Sequence, residues 1–302
     1  MPSRDEILKA FDCINVWSRG LERAPHKPLL VLYALGQLTR DGQNLISFRD
    51  LAPKLTELLK EFGPTRTSYH PEYPFWRLQN DGVWIVDDAD HLKRRSGQTD
   101  IPKRELLNNN VHAHFTDEIA TSLQRDPSLL ADIALRLLDG HFPTSIHQDI
   151  LDAVGLELNL TETVTRRKRD PSFRGRILAA YGYSCAVCGF DVRLGSQIMG
   201  LEAAHIQWHQ AGGPDEESNG LALCSLHHKA FDLGAFTIHP DRVLLVSKQA
   251  HGQQSFDDWL LKFHGHPIRP PQRESYLPAS AFLDWHEREV FKRPSRELSV
   301  VG

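Results

Sequence analysis

The chain has few sulfur-containing residues and no long hydrophobic run. Four cysteines and two methionines occur in 302 residues, far fewer cysteines than a small secreted domain held by disulfide bonds would carry. No apolar run approaches the length that spans a membrane, and no signal peptide is found. We therefore expect a protein of the reducing cytoplasm with no membrane partner.

An excess of positive charge is also missing. Lysine and arginine total 35 against 39 aspartate and glutamate residues, for a formal net charge of -4. This balance argues against a protein that coats DNA generally, although specific DNA binding needs only a local basic face. The 40% hydrophobic and 25% charged residues are ordinary for a globular protein, and the length allows two domains.

Three of the four cysteines lie close to histidines in the second half of the chain. Cys185 and Cys188 form a C-x-x-C pair, and Cys224 and His227 form a C-x-x-H pair well downstream. Two short ligand pairs separated by a long insert are typical of one tetrahedral zinc, because each pair can chelate from a tight turn. The spacing predicts a structural Zn²⁺ at these four residues.

The same segment carries a second ordered set of residues. In chain order it reads Glu202-Ala-Ala-His205-Ile206, Gly212-Gly213, Asn219-Gly220-Leu221 and His227-His228-Lys229-Ala230-Phe231-Asp232. This order resembles the HNH (ββα-metal) nuclease motif in its zinc-stabilised form. The resemblance implies a C-terminal endonuclease domain that hydrolyses phosphodiester bonds.

The resemblance also implies a role for each residue of the motif. Phosphodiester hydrolysis needs a base that deprotonates water and a cation that stabilises the developing charge. His205, at the end of a strand predicted from Ile198 to Ile206, would be the general base. Asn219 would orient the loop or the His205 ring. His228 would ligate a catalytic Mg²⁺ or Mn²⁺, since it follows His227 by one residue and must point away from the zinc.

A second ligand for the catalytic ion is left open by the sequence. Many HNH enzymes carry Asp or His directly before the base, whereas this chain has Ala204. Glu202, His209 or Asp232 would replace it. Beyond the motif, a hairpin is predicted over residues 234 to 246, followed by two short helices around Phe256 to Phe263 and Ala279 to Phe291.

The N-terminal half predicts helices and one hairpin. Residues 5 to 19 place apolar side chains at helical spacing, with Cys13 as a small core residue. Pro28 suits the first turn of a buried helix, which puts His26 and Lys27 at an N-terminus that favours anions. Further helices are predicted over 47 to 62 and 126 to 139, and a β-hairpin over 73 to 86.

Three pieces of this half carry a second resemblance. They are Pro25-His26-Lys27-Pro28-Leu29-Leu30, His70-Pro71-Glu72-Tyr73-Pro74-Phe75-Trp76-Arg77-Leu78 and Gly140-His141-Phe142-Pro143. They resemble the sulfur-binding domain found beside HNH domains in McrA-like restriction endonucleases that act on phosphorothioated DNA. The implied partner is double-stranded, phosphorothioated DNA.

Some of these residues have the chemistry that binding a phosphorothioate requires. Sulfur in place of a non-bridging oxygen keeps the charge but is large and poorly hydrated, so a selective site needs an apolar cup beside cationic donors. Tyr73 and Pro74, with Phe75 or Trp76, would form the cup. The cationic side is a set of three residues that would hold the phosphate or read a base edge: His26, Lys27 and Arg77.

The two halves meet at a short basic run. Arg166, Arg167, Lys168 and Arg169 precede a helix that carries Arg174 and Arg176, and phosphate contacts are favoured over a solvated linker. We predict an α+β protein with three parts: a mainly helical reader domain with a small β-hairpin or sheet over 1–155, a basic linker over 156–170, and a zinc-stabilised HNH domain with a helical extension over 171–302.

These patterns together predict a modification-dependent type IV restriction endonuclease. One HNH centre cuts one strand at a time, so a double-strand break requires a homodimer or two successive nicks. One alternative is an HNH nuclease that reads a methylated base flipped against Trp76 or Trp84. Two others are a non-catalytic zinc module that binds DNA and a secreted nuclease toxin, the last disfavoured by the full reader-like domain.

Overall fold

The computed structural model describes residues 2–17, 20–94, 100–158 and 171–298. The chain divides into two compact units, Met1–Val164 and Thr165–Gly302, and each unit has its own buried hydrophobic residues. No helix in the described part of the chain is long and apolar enough to cross a membrane.

Unit one is mainly helical and holds one small sheet. Its helices are α1 (Arg4–Asp12), α2 (His26–Asp41), α3 (Phe48–Phe62), α4 (Glu72–Arg77), α5 (Lys103–Asn108), α6 (Asp117–Arg125), α7 (Pro127–His141) and α8 (His147–Val154). Its strands are β1 (Ile46–Ser47), β2 (Trp84–Val86) and β3 (His112–Phe115). The sheet order is β1-β3-β2 with antiparallel pairing, so the predicted helical domain with a small sheet is confirmed.

Helix α2 lies at the centre of unit one. It packs against α3, α4, α7 and α8, and Leu29 and Leu30 are completely buried. The predicted helices over 47 to 62 and 126 to 139 are confirmed as α3 and α7. Their starts follow from capping, since Ser47 accepts from the Arg49 N–H and Asp126 accepts from the Leu129 N–H.

The predicted hairpin over residues 73 to 86 is wrong. The first half of that segment is α4, and β2 pairs with β3 instead. Pro74 has no N–H to give to a strand ladder but fits the first turn of a helix. Gly82, at φ 75°, ends the 3-10 helix Leu78–Asp81 rather than turning a hairpin.

The N-terminal helix is shorter than predicted. Helix α1 ends at Asp12, and Cys13 is its exposed C-cap rather than a core residue. Asn15 donates its backbone N–H to Asp81 Oδ1 at 2.9 Å, an interaction that takes the chain out of the helix. Trp17 is consequently 53% exposed.

Unit two contains a ββα element. Its helices are α9 (Pro171–Ala180), α10 (Ser225–Asp232), α11 (Gln254–Trp259) and α12 (Ser280–Glu289). Its strands are β4 (Arg193–Leu194), β5 (Gln197–Ile198), β6 (Leu201–His205), β7 (Gly220–Cys224), β8 (Phe236–Ile238) and β9 (Leu244–Val246). Antiparallel β6 and β7 lead directly into α10, and β8 and β9 form the predicted hairpin. The two predicted C-terminal helices are α11 and α12.

Two helical glycines provide a test of the packing around α2. A Cβ at Gly36 would lie 2.4 Å from the Val154 backbone oxygen, whereas a Cβ at Gly140 would meet nothing within 4 Å. We expect Gly36→Ala to lower the free energy of unfolding by about 1–3 kcal/mol, because α2 and α8 must separate. Gly140→Ala, the control, should be neutral or raise it by up to about 1 kcal/mol. Urea unfolding measures both, and equal midpoints would contradict the close approach.

Candidate functional site

Four metal-binding side chains converge in unit two. The donor atoms of Cys185, Cys188, Cys224 and His227 all lie within 4.8 Å of one another. The Cys188 and Cys224 sulfurs are 4.0 Å apart, and Cys224 Sγ is 3.1 Å from His227 Nδ1. These separations suit one ion with bonds of about 2.0–2.3 Å. The Cys3His group therefore fits a single metal ion, in the combination that the sequence predicted.

The C-terminal extension holds His227 in place. The His227 Nε2 lies 3.1 Å from the Trp259 carbonyl oxygen. Because a carbonyl oxygen can only accept a hydrogen bond, Nε2 carries the proton and Nδ1 keeps a lone pair for the ion. The His227 ring stacks on Trp259 with centroids 4.1 Å apart. Sequence reasoning missed this role of Trp259, because a backbone carbonyl leaves no residue-type signal.

His228 lies between two carboxylates. Its Nδ1 is 2.6 Å from Glu202 Oε2, and its Nε2 is 3.1 Å from Asp232 Oδ2, one helical turn along α10. Burial lowers the pKa of His228, but Asp232 and Glu202 outweigh it and raise the pKa to about 9. Of the three alternatives for a second ligand, the structure places Glu202 and Asp232 against His228. The carboxylates face opposite ring nitrogens, so one divalent cation could bind His228 Nε2 and Asp232, 3.1 Å apart, while Glu202 accepts a hydrogen bond from Nδ1.

His205 is the last residue of β6, at the end of the predicted strand. Its side chain is 15% exposed, and its ring stacks on Phe173 with centroids 4.1 Å apart. Its Nε2 lies 2.7 Å from Asp215 Oδ1. His209, the third alternative for a metal ligand, lies in this group, with Nδ1 3.7 Å from the same oxygen. Asp215 was not predicted from the sequence, because it lies in a loop without regular spacing.

Asn219 is completely buried and fixes the loop between β6 and β7. Its Oδ1 accepts from the Gln207 N–H at 2.8 Å, and its Nδ2 donates to the carbonyl oxygens of Gln207 at 3.0 Å and Pro214 at 2.9 Å. A Cβ at Gly213 would lie 1.9 Å from the Gln207 oxygen, so only glycine fits there. Of the two predicted roles for Asn219, this geometry matches orientation of the loop.

Tyr73 is the centre of an aromatic and cationic cluster in unit one. Its ring stacks on His70 with centroids 4.9 Å apart, and the Arg77 guanidinium carbon lies 4.6 Å from its centroid. Arg77 is itself held by two hydrogen bonds of 2.8 and 2.6 Å to Asp100. Pro74 is buried beside Tyr73 in α4.

His26 is a neutral residue at the start of α2. Burial first, and then the nearby Arg66 and His70 side chains, lower the pKa of His26 to about 4. The adjacent Lys27 has its ammonium 2.5 Å from Asp81 Oδ2, and both side chains are largely buried. Lys27 is therefore engaged in an ion pair inside unit one.

Phe75 does not belong to a surface cup. It has no exposed surface and packs against Phe48 with centroids 4.9 Å apart, because α4 turns this residue into the core. Trp76 is 6% exposed and borders an open cleft of about 420 Å³. The other lining residues of that cleft are Arg77, Gln79, Asn80, Arg94 and Asp100.

The basic run Arg166, Arg167, Lys168 and Arg169 lies outside the described residues. The two arginines predicted to join it both bond within unit two. Arg174 donates to the Leu201 carbonyl oxygen at 2.9 Å, and Arg176 lies 3.1 Å from Glu217 Oε1. These two side chains therefore support the fold of unit two.

Comparison with family models identifies both halves. Residues 4–159, more than half of the chain, match the ScoMcrA-like DNA sulfur-binding domain. The chain belongs to this family. Residues 185–239 match the HNH endonuclease family HNH_2. This matched segment includes the Cys3His group and the β6-β7-α10 element. The chain therefore joins a DNA sulfur-binding domain to an endonuclease domain, the organisation that the sequence predicted.

Solved structures resemble the N-terminal half. The sulfur binding domain of ScoMcrA complexed with phosphorothioated DNA is 22% identical, with a TM-score of 0.44 over 49% of this chain and 94% of that chain. The structure of the type IV phosphorothioation-dependent restriction endonuclease ScoMcrA is 21% identical with a TM-score of 0.42. This match covers 49% of the present chain but only 32% of that one. No match was found among curated proteins.

The Cys3His group generates a test by metal removal. We expect Cys188→Ser to lose about one metal ion per chain and to lower the stability of unit two, because a structural ion contributes directly to folding. Cys13→Ser, which alters an exposed cysteine in unit one, is the matched control. Elemental analysis and thermal unfolding measure the two effects. Full metal content in Cys188→Ser would contradict the site.

Proposed function

We propose that this chain is a phosphorothioation-dependent restriction endonuclease. Unit one binds double-stranded DNA that carries a phosphorothioate linkage, and unit two hydrolyses phosphodiester bonds nearby. What supports the proposal most is that one chain matches both the DNA sulfur-binding family and an HNH endonuclease family, and that the four Cys3His side chains in the HNH match converge. The working division is a reader over 1–155, a basic linker over 156–170 and a nuclease over 171–302.

In the proposed reaction His205 takes a proton from the attacking water. The ring is held at the end of β6 by Phe173, and the buried amide of Asn219 keeps the loop beside it in one conformation. His228 Nε2 and Asp232 would hold Mg²⁺ or Mn²⁺, and Glu202 would orient the ring by accepting the hydrogen bond from Nδ1. Such an ion stabilises the charge on the phosphorane and on the departing 3′ oxygen when bound.

The Cys3His group is assigned a structural role, with Zn²⁺ as the ion. Three cysteines and one histidine satisfy a tetrahedral ion and leave no position for water or substrate. Cysteine ligands must be deprotonated and reduced, which favours the cytoplasm as the place of action. The ion would fix the start of α10, from which His228 projects.

For the reader we propose that sulfur lies against the partly exposed ring of Tyr73, beside which Pro74 is buried in α4. Neutral His26 would suit a position in the sulfur site, because an uncharged ring loses little hydration beside a poorly hydrated sulfur. Arg77 and the edge of Trp76 would contact the phosphate or a base edge. Phe75, which is buried, has no part in the cup. Lys27 would contribute to the structure of the reader through its ion pair with Asp81. The basic run 166–169 is assigned to backbone phosphates.

Cutting of both DNA strands requires two nuclease centres or two successive events. We propose a homodimer on DNA, since one HNH centre attacks one strand.

The proposal is tested with two plasmids of identical sequence, one with and one without phosphorothioate linkages, incubated with the protein and Mg²⁺ or Mn²⁺. We expect cutting of the sulfur-bearing plasmid alone, and loss of cutting by at least about 100-fold in His205→Ala. Gel electrophoresis of supercoiled, nicked and linear forms measures the outcome.

The other outcomes separate the rival functions. Equal cutting of both plasmids would retain the nuclease and refute the sulfur reader. Cutting of a methylated plasmid alone would identify a methylated base as the mark. Full activity in His205→Ala would contradict the assigned base, and binding without cutting of any substrate would leave a zinc module that only binds DNA.

A further inference from the structure

A carboxylate on the loop between β6 and β7 contacts the proposed general base. Asp215 Oδ1 lies 2.7 Å from His205 Nε2, and neither side chain is more than a quarter exposed. An ionised carboxylate can only accept a hydrogen bond, so this contact places the imidazole proton on Nε2. The lone pair that can take a proton is then on Nδ1.

We propose that Asp215 is a positioning residue that fixes the tautomer and orientation of His205. The inference rests on the proposed function, because it takes His205 as the base. In the hydrolytic step, one proton of water passes to His205 Nδ1, and the hydroxide oxygen bonds to phosphorus. The bond from phosphorus to the 3′ oxygen then breaks with its electron pair on that oxygen. Asp215 stays ionised and stabilises the imidazolium that forms.

The backbone around Asp215 is held from several sides. Arg176 donates to the Asp215 carbonyl oxygen at 2.6 Å. On either side, Asn219 Nδ2 donates to the Pro214 oxygen at 2.9 Å, and the Asn219 N–H donates to the Glu216 oxygen at 3.0 Å. A loop fixed at three consecutive residues presents its carboxylate without further ordering, as preorganised orientation of a catalytic base requires.

The ring of His205 is fixed in a second direction by Phe173. The two rings lie 4.1 Å apart and 14° from parallel, so the stack restrains tilt while the Asp215 contact restrains rotation about the side-chain bonds. A carboxylate that orients one nitrogen of a histidine whose other nitrogen acts as base is the arrangement of serine hydrolases. Here the same arrangement would activate water.

A metal ion at this place is the competing explanation. His209 Nδ1 lies 3.7 Å from Asp215 Oδ1, and the three residues His205, His209 and Asp215 could hold an ion. Donors at about 2.0–2.2 Å from one ion are separated by roughly 3 Å or more. The 2.7 Å separation of His205 Nε2 from Asp215 Oδ1 is instead that of a charge-assisted hydrogen bond. The geometry therefore favours the pair without an ion.

The test is Asp215→Asn in the full-length protein. The new amide can donate to Nε2 and so hold the opposite tautomer. We expect kcat on phosphorothioated DNA to fall by about 100-fold or more while the Kd for the same DNA stays within about twofold. Glu216→Gln is the matched control, because it removes the same charge from the next residue, whose exposed side chain accepts a hydrogen bond from the Ser218 hydroxyl. It should leave kcat unchanged.

A long-range ¹H–¹⁵N correlation spectrum of the histidines gives a readout that needs no activity. We expect His205 to carry its proton on Nε2 in the parent protein and to change tautomer in Asp215→Asn. An unchanged tautomer, or an unchanged kcat in Asp215→Asn when His205→Ala is inactive, would refute the positioning role alone. Full activity in His205→Ala would instead refute the proposed base. Equal losses in Asp215→Asn and His209→Ala that added divalent ion restores would establish a metal site and overturn the inference.

Discussion

The nuclease half depends on the meeting of two distant ligand pairs at one point. Cys185 and Cys188 precede β6, whereas Cys224 and His227 bracket the start of α10. When the two pairs meet at one site, the segment between them, which contains β6, its loop and β7, forms a closed loop. Because His227 and His228 are neighbours on one helix, the group that fixes His227 also sets the direction of His228. A single turn of α10 thus carries one side chain of the Cys3His group and the proposed ligand of the catalytic ion.

The same region shows how buried polar groups can order a loop. Asn219 has no exposed surface, and burying an amide is unfavourable unless its hydrogen bonds are made. Three bonds to Gln207 and Pro214 satisfy it, and they hold the loop that bears Asp215. A requirement of the core, full hydrogen bonding of one amide, therefore also places a polar group beside the proposed base.

Much of this arrangement follows from the sequence, and the reasons differ between elements. The Cys3His group was predictable because metal ligands need fixed residue types at short spacing. Helix α3 was predictable because its apolar residues repeat at helical intervals. The hairpin at 73 to 86 was wrong because an aromatic run reads as strand locally, whereas tertiary burial of Phe75 and Trp76 favours a helix. Cys13 was misplaced because apolar spacing alone does not mark where α1 ends, and the backbone just beyond that end bonds to Asp81, far along the chain.

The details missed at the site share a cause. Trp259 acts on His227 through its backbone oxygen, and Asp215 reaches His205 from an irregular loop. Neither contact has a residue pattern at fixed spacing, so only the folded chain reveals it. In unit one the same holds for Lys27, whose ion pair with Asp81 joins residues of two separate elements.

In the proposed function, recognition of a phosphorothioate by unit one directs cutting by unit two. The most direct measurement is to map the cleavage ends on a long linear duplex that carries one phosphorothioate linkage, by sequencing every product end. We expect the ends to cluster at a constant short distance from the sulfur and to be absent from the duplex in which oxygen replaces sulfur. Ends distributed alike on the two duplexes would contradict the proposed function.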